Sequence, residues 1–317
     1  MRYKVTMVAT DSKIKNPEPG ASTRIPETCI LRCGGFRPFL EIPRNQGMST
    51  TTLVQCNYCN LVFENPRPIR TEIDALYKSK ALWTNSQDAE GNPRSYVKEL
   101  LQKKPIFRDL SLRVEKRKSE GRLLDIGCGP GLLETEMDPS RWQVTGVEMS
   151  EFISDFGAKQ LGTHILNSTF EQVSLPHSHF DVVVMKYVLD HMEEPFEALK
   201  KVRTLIKPDG LLLVADLVNI DSFCARFFRE GHRLFHPMHF TYFSPKTISQ
   251  HLERAGFSVI KIEYPYFNTP YFTFKNLAAF ALRVLQRGLQ QIGCWTNERI
   301  YSTAFYGNML DVWAVPV

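Results

Sequence analysis

No stretch of this sequence is apolar for long enough to span a membrane, and the opening MRYKVTMVATDSKIKNPEPG holds no hydrophobic run of the secretory kind. A cytoplasmic protein is therefore expected. Charge of one sign is also scarce. The 39 Lys and Arg against 34 Asp and Glu leave a formal +5, which over 317 residues is an ordinary solvated surface rather than a nucleic-acid footprint. Cysteine is sparse, seven in all, and in a reducing compartment each is expected to be a thiol or a metal ligand rather than half of a disulfide. What is present is 43% hydrophobic content, enough to bury one large α/β core with room for a small extra module.

Four of the cysteines, Cys29, Cys33, Cys56 and Cys59, crowd into C-x3-C-x22-C-x2-C. Two such thiol pairs, the first followed by Gly34 and Gly35, suit one tetrahedral zinc in a small ribbon. The following CNLVFENPRP reads as a strand with a proline-rich exit. The expected organisation is a flexible N-terminus at 1–24, a zinc ribbon at 25–68, a charged helical connector or lid at 69–118, and a larger domain at 119–317.

From residue 121 apolar strands alternate with helical segments in the manner of a doubly wound sheet. RLLDIG, WQVTGVEMS, THILNS, FDVVVMKY, GLLLVADLV, SVIKIEYPY and NMLDVWAVPV supply seven strands, and GLLETEM is a helical candidate. Lys207–Gly210, KPDG, reads as a turn into the fifth strand. Between the last two strands lies an insert at about 266–306 with an amphipathic helix suited to covering the active site, a partner or a membrane surface; packing on its own domain is the simplest expectation.

The glycine turn DIGCGPG follows the first of these strands, at the sheet edge where open α/β folds bind ligands. Its spacing, Gly127, Gly129 and Gly131, is not the G-x-G-x-x-G of dinucleotide sites. Asp125 stands two residues before the first glycine, where a carboxylate repels a pyrophosphate and attracts an ammonium or sulfonium. Glu148 ends the second strand, placed to accept ribose hydroxyls. The two carboxylates point to S-adenosylmethionine.

LLDIGCGPG, VTGVEMS, FDVVVMKYVLDHMEEP and LIKPDGLLLVAD, in this order and spacing, resemble the class I S-adenosylmethionine-dependent methyltransferases over residues 121–317. The cysteine stretch with CNLVFENPRP resembles a subgroup carrying an N-terminal zinc ribbon, often linked to small-molecule or glycan modification. The first pair departs from its usual C-x2-C. The resemblance implies a Rossmann-like seven-stranded sheet, with Asp125 near the methionine amino group and the Gly127-Cys128-Gly129 turn close to the cofactor. Glu148 would hold the ribose, Met149 would pack on adenine, Thr169 and Phe170 would flank the ring, and Lys186 would border the methionine part.

For the acceptor, His191 lies just beyond the fourth strand, where substrate should meet the methyl group, and has the pKa range of a base. A second stretch, FFREGHRLFHPMHFTYFS, brings His232, His236, His239 and Tyr242 into one long loop. His239 resembles the histidine that the ribbon-bearing subgroup carries before FTYFS; it and His191 are expected to face one cavity as the candidate catalytic bases, and His236 and Tyr242 are candidate substrate contacts. Substrate contact by these histidines is preferred to metal ligation, because no carboxylate or cysteine completes the spacing of His232, His236 and His239. The expected function is methyl transfer to a small molecule or a sugar or glycan precursor. The alternative is an RNA methyltransferase gripping nucleic acid with the ribbon, although MKYVLDH lacks the N/D-P-P-Y/F segment of many enzymes acting on exocyclic base amines.

Overall fold

The computed structural model describes residues 23–24, 28–42, 50–68, 70–87, 93–235, 239–267, 269–295 and 298–317. The expectation for residues 1–22 therefore lies outside the described residues, while Thr23–Arg24 pairs antiparallel with Arg67–Pro68.

In the cysteine-rich segment, β1 (Phe36–Ile42), β2 (Thr51–Cys56) and β3 (Val62–Glu64) form an antiparallel meander. Every residue of β3 is buried, as a strand covered on both faces requires. The connector holds α1 (Arg70–Lys78), α2 (Lys80–Thr84), α3 (Tyr96–Gln102) and α4 (Lys104–Glu115), as its charged helical composition predicts. Leu82, Trp83 and Val97 bury their apolar surface against Ile153 of the main domain.

The main domain begins with β4 (Gly121–Ile126), then β5 (Trp142–Glu148), α5 (Glu151–Leu161), β6 (Ile165–Asn167), β7 (Phe180–Lys186), α6 (Pro195–Leu205) and β8 (Ile206–Val218). After α7 (Phe223–Phe228) come β9 (Thr241–Tyr242), α8 (Pro245–Arg254), β10 (Phe257–Glu263), α9 (Phe274–Gln291) and β11 (Met309–Pro316). All seven expected strands join one sheet in the order β6-β5-β4-β7-β8-β11-β10. It is parallel from β6 to β8 and antiparallel at β11, a Rossmann-like arrangement with one reversed strand.

Strand alternation divides the core. Leu124, Val183 and Leu212 face one layer and Leu123, Val182 and Leu213 the other, all fully buried. Ser244 caps α8 by accepting from Thr247 N–H at 3.1 Å, with Pro245 at its first position, as the sequence implies.

Three local expectations are corrected. GLLETEM forms turns and a single 3-10 turn at Glu134–Glu136, because Pro139 follows closely and disfavours helix at the residue before it. KPDG lies within the extended span of β8 as an irregularity, the pairing with β7 jumping from Ile206 to Leu211. The boundary expected after residue 68 divides the chain but not the structure. Strand β9 pairs with β3, completing a four-stranded sheet of order β9-β3-β2-β1 from both regions.

Candidate functional site

The crevice is built at the carboxyl ends of β4, β5 and β7. Gly127, Gly129 and Gly131 all have positive φ, at 68°, 56° and 80°, which explains glycine at each turn position. Their surroundings differ. A Cβ on Gly127 would meet Val188 at 2.4 Å, and one on Gly131 would meet Thr163 at 2.8 Å, so these two glycines serve packing. At Gly129 the nearest atom is Leu100 Cδ1 at 3.9 Å, leaving room for a ligand beside the backbone.

Asp125 and Glu148 flank this opening, both buried. Glu148 accepts from Gly129 N–H at 3.1 Å and Ser150 N–H at 2.8 Å, which fixes its carboxylate across the glycine turn. Burial nevertheless raises its pKa, against the lowering by those amides. Asp125 is pushed up to about 7, chiefly by burial, with Lys186 opposing and Glu148 and Glu134 adding repulsion. Burial lowers Lys186 to about 8, and its ammonium is paired with Asp216. An uncompensated carboxylate here is costly, and a bound cation relieves that cost.

Among the other expected cofactor contacts, Met149 is half-buried beside Glu148 and Thr169 is buried. Phe170 joins the core cluster with Leu124 and Ile126, and Lys201 lies over its ring at 4.9 Å. Cys128 is buried with its thiol raised by desolvation, and its sulfur fills the space that a side chain on Gly146 would occupy. It contributes to the turn through its backbone.

At the end of β7 the structure brings His191 and His239 together, ring centroids 4.4 Å apart, although 48 positions separate them in sequence. Phe240 N–H donates to the Asp190 carbonyl at 2.9 Å, holding the two loops in register. His239 Nδ1 lies 2.7 Å from the Leu234 carbonyl, which fixes Nδ1 as the protonated nitrogen and Nε2 as the basic one. His191 Nδ1 lies 2.6 Å from the Tyr77 hydroxyl, and its Nε2 is 3.6 Å from Asp190 Oδ1. Burial raises the Tyr77 phenol well above its usual range, so it stays a neutral donor.

Asp190 is wholly buried, and its pKa is raised by desolvation against the relief that His239 offers. The ligand atoms of Asp190, His191 and His239 lie within 4.8 Å of one another. The expectation that no carboxylate stands with these histidines is thus overturned. Asp190 was legible as the neighbour of His191, whereas Tyr77 on α1 carried no signal of its own.

The remaining loop residues separate. His232 is buried against Ser302, its pKa pulled down to about 3 by desolvation, and stays neutral. Tyr242 is 1% exposed within the cluster of Val62, Val218 and Phe235, its ring edge-on to His239 at 6.2 Å. It packs behind the histidine. His236 lies outside the described residues.

The four thiols expected to hold metal converge, with Cys29 to Cys59 at 3.6 Å and Cys33 to Cys56 at 3.3 Å. All four sulfurs lie within 4.8 Å of one another, as a tetrahedral zinc at about 2.3 Å from each demands. Tyr58 and Cys59 N–H groups aim at Cys56 Sγ at 3.3 and 3.4 Å, closing the C-x2-C knuckle, and in the C-x3-C pair Cys29 N–H donates to the Gly34 carbonyl at 2.8 Å.

A family described as "Methyltransferase domain" matches residues 96–262. The ubiquinone biosynthesis O-methyltransferase of Haemophilus ducreyi is 32% identical over 107 residues, covering 30% of this chain and 45% of that protein. The enzyme of the same name from Actinobacillus pleuropneumoniae is 25% identical over 162 residues, 47% of this chain and 64% of that one. The match thus spans less than two thirds of each relative. The solved 1,6-didemethyltoxoflavin-N1-methyltransferase of Burkholderia thailandensis aligns over 89% of this chain and 99% of its own, at 14% identity and a TM-score of 0.48.

Proposed function

The chain belongs to the methyltransferase-domain family, whose match takes in the glycine turn and both flanking carboxylates, and from that premise we propose that it methylates a small-molecule acceptor, with His239 as proton acceptor. S-adenosylmethionine supplies an electrophilic methyl group on a sulfonium. The observation that carries the reading is the pair of buried carboxylates beside the open face of Gly129. Asp125 holds the methionine ammonium, Glu148 accepts the ribose hydroxyls, and Met149 and Thr169 border the adenine. Lys186, through its pair with Asp216, keeps a cation near Asp125 when the crevice is empty.

On the acceptor side, a hydroxyl or acidic carbon must shed a proton as it attacks, and His239 Nε2 receives it. The charge then formed on the imidazole faces the buried Asp190 carboxylate, which the same event stabilises. His191, held between Tyr77 and Asp190, fixes the position of that ring. The O-methyltransferase names of the relatives support a small-molecule hydroxyl as acceptor, with a sugar or glycan precursor in the same chemical class. The four thiols hold one structural zinc.

Glu148→Ala tests the cofactor assignment. Calorimetry with S-adenosylhomocysteine should show affinity reduced by about thirtyfold or more, the worth of two hydrogen bonds to a carboxylate. Equal affinity in wild type and variant would remove Glu148 from the site.

Binding should also depend on pH through Asp125. With its pKa near 7 in the empty protein, the carboxyl is protonated below neutrality and must lose that proton before it can hold an ammonium. Affinity should therefore be flat above about pH 7 and fall by up to about tenfold per unit below it. Asp125→Asn should flatten the profile. A wild-type profile already flat between about pH 5.5 and 8 would show that Asp125 carries no proton there.

A further inference from the structure

Half of the exposed large hydrophobic side chains among the described residues, eight of sixteen, fall between positions 267 and 306. They centre on α9. One face of this helix is anchored on the protein: Phe280 stacks on Phe305 with ring centroids 3.6 Å apart, and Arg287 pairs with Glu230 at 2.8 Å. Among the described residues the other face has no such partner. At about 100° per residue, Phe274, Ala278, Ala281, Leu282, Leu285 and Ile292 share an arc of about 100°. Phe274 is 87% exposed, Ile292 71%, Leu285 59% and Leu282 54%.

Charge identifies what covers this arc. Positions 264–297 contain Lys275, Arg283 and Arg287 and no Asp or Glu. Arg287 is turned to Glu230 and Arg283 is exposed about 100° beyond the arc, while Lys275 is exposed at the arc's edge. A second copy docked symmetrically through this face would bring the two Lys275 ammonium groups together with no acid in the segment to offset them. An anionic lipid surface offsets them and accepts the apolar tips in its acyl boundary. Trp295 and Phe272, both exposed, flank the helix as the aromatic residues of interfacial helices do. The helix is not long and apolar enough to cross a membrane, so it would lie along the surface.

We propose that α9 is a membrane-surface helix that docks this protein on bilayers bearing anionic headgroups, its Phe274–Leu282–Leu285–Ile292 face inserted at the acyl boundary. The test is flotation of the purified full chain with phosphatidylcholine vesicles, with and without phosphatidylglycerol. Wild type should float with the mixed vesicles and partition at least about tenfold less onto phosphatidylcholine alone. Leu282→Glu with Leu285→Glu should lower partitioning onto mixed vesicles by more than about tenfold at an unchanged melting midpoint. Lys275→Gln with Arg283→Gln should erase the preference for phosphatidylglycerol while leaving the fold untouched. Absence of flotation overturns the proposal, as does flotation of the double Glu variant at the wild-type level. So does a dimer, seen by sedimentation without lipid, that the Glu variant splits while neither protein floats. None of these readouts requires methyl transfer, so the proposal fails or stands apart from the catalytic reading.

Discussion

Replacing His239 by Gln should lower methyl-transfer turnover by about a hundredfold or more while leaving S-adenosylhomocysteine affinity unchanged, the expected loss when general-base help is removed. The geometry ranks the neighbours below it. His191→Gln keeps a side chain able to bond to Tyr77 but loses the imidazole against His239, so its effect should be smaller. Tyr77→Phe removes only the hydroxyl 2.6 Å from His191 and should cost less again. The measurement is single-turnover rate against pH, with cofactor affinity followed by calorimetry. The pH dependence of the wild-type rate should differ from that of His239→Gln if the imidazole takes the acceptor's proton. Two results would sink the assignment. One is a His239→Gln enzyme within about threefold of wild type, too little for a lost base. The other is wild-type turnover that rises with an added imidazole-binding divalent metal such as zinc and a response lost in each Gln variant. That would make Asp190, His191 and His239 a cation site, for which their spacing within 4.8 Å is also suitable.

The sequence made the parallel sheet legible because its strands are short continuous apolar runs separated by turn residues, the signature of strands buried on both faces. Asp125 and Glu148 were legible because a carboxylate at a fixed offset from a glycine turn has a chemical meaning independent of the rest of the chain. Tyr77 was not, since it sits on a connector helix of ordinary charged composition and reaches His191 only through the fold, 114 positions away. The surroundings of Tyr242 were hidden for a related reason. An aromatic among histidines reads as a pocket wall, yet its register in β9 against Val62 turns it into the core between the ribbon sheet and β8. That pairing was invisible beforehand, because two residues are too few to show a strand period.

The same pairing sets the outcome of breaking the four-cysteine cluster. Sequence alone presents the cysteine stretch as a separate module, whose loss should leave cofactor affinity largely intact. In the structure Cys29, Leu31, Cys56 and Phe63 share one core cluster with Leu124, Val183 and Leu212 of the main sheet. Backbone bonds continue from Glu64 N–H to the Phe240 carbonyl and from Phe240 N–H to the Asp190 carbonyl, each at 2.9 Å. Arg67 adds bonds to the Met192 and Glu193 carbonyls at 3.1 and 2.7 Å. The cysteine-rich sheet thus holds both histidine loops but none of the residues that face Gly129. Wild-type protein prepared without chelator should carry one zinc per chain by metal analysis, and Cys56→Ser should lose it. Because ribbon and sheet share a core, melting of the variant should remain a single transition, lowered by about 10 °C for a loss of several kcal/mol in a domain of this size. Turnover should fall by more than cofactor affinity, since His191 and His239 lose their support while Asp125 and Glu148 keep theirs. A separate low-temperature transition, with the main transition and turnover at wild-type values, would instead establish the ribbon as an independent unit and refute the coupling through Phe240.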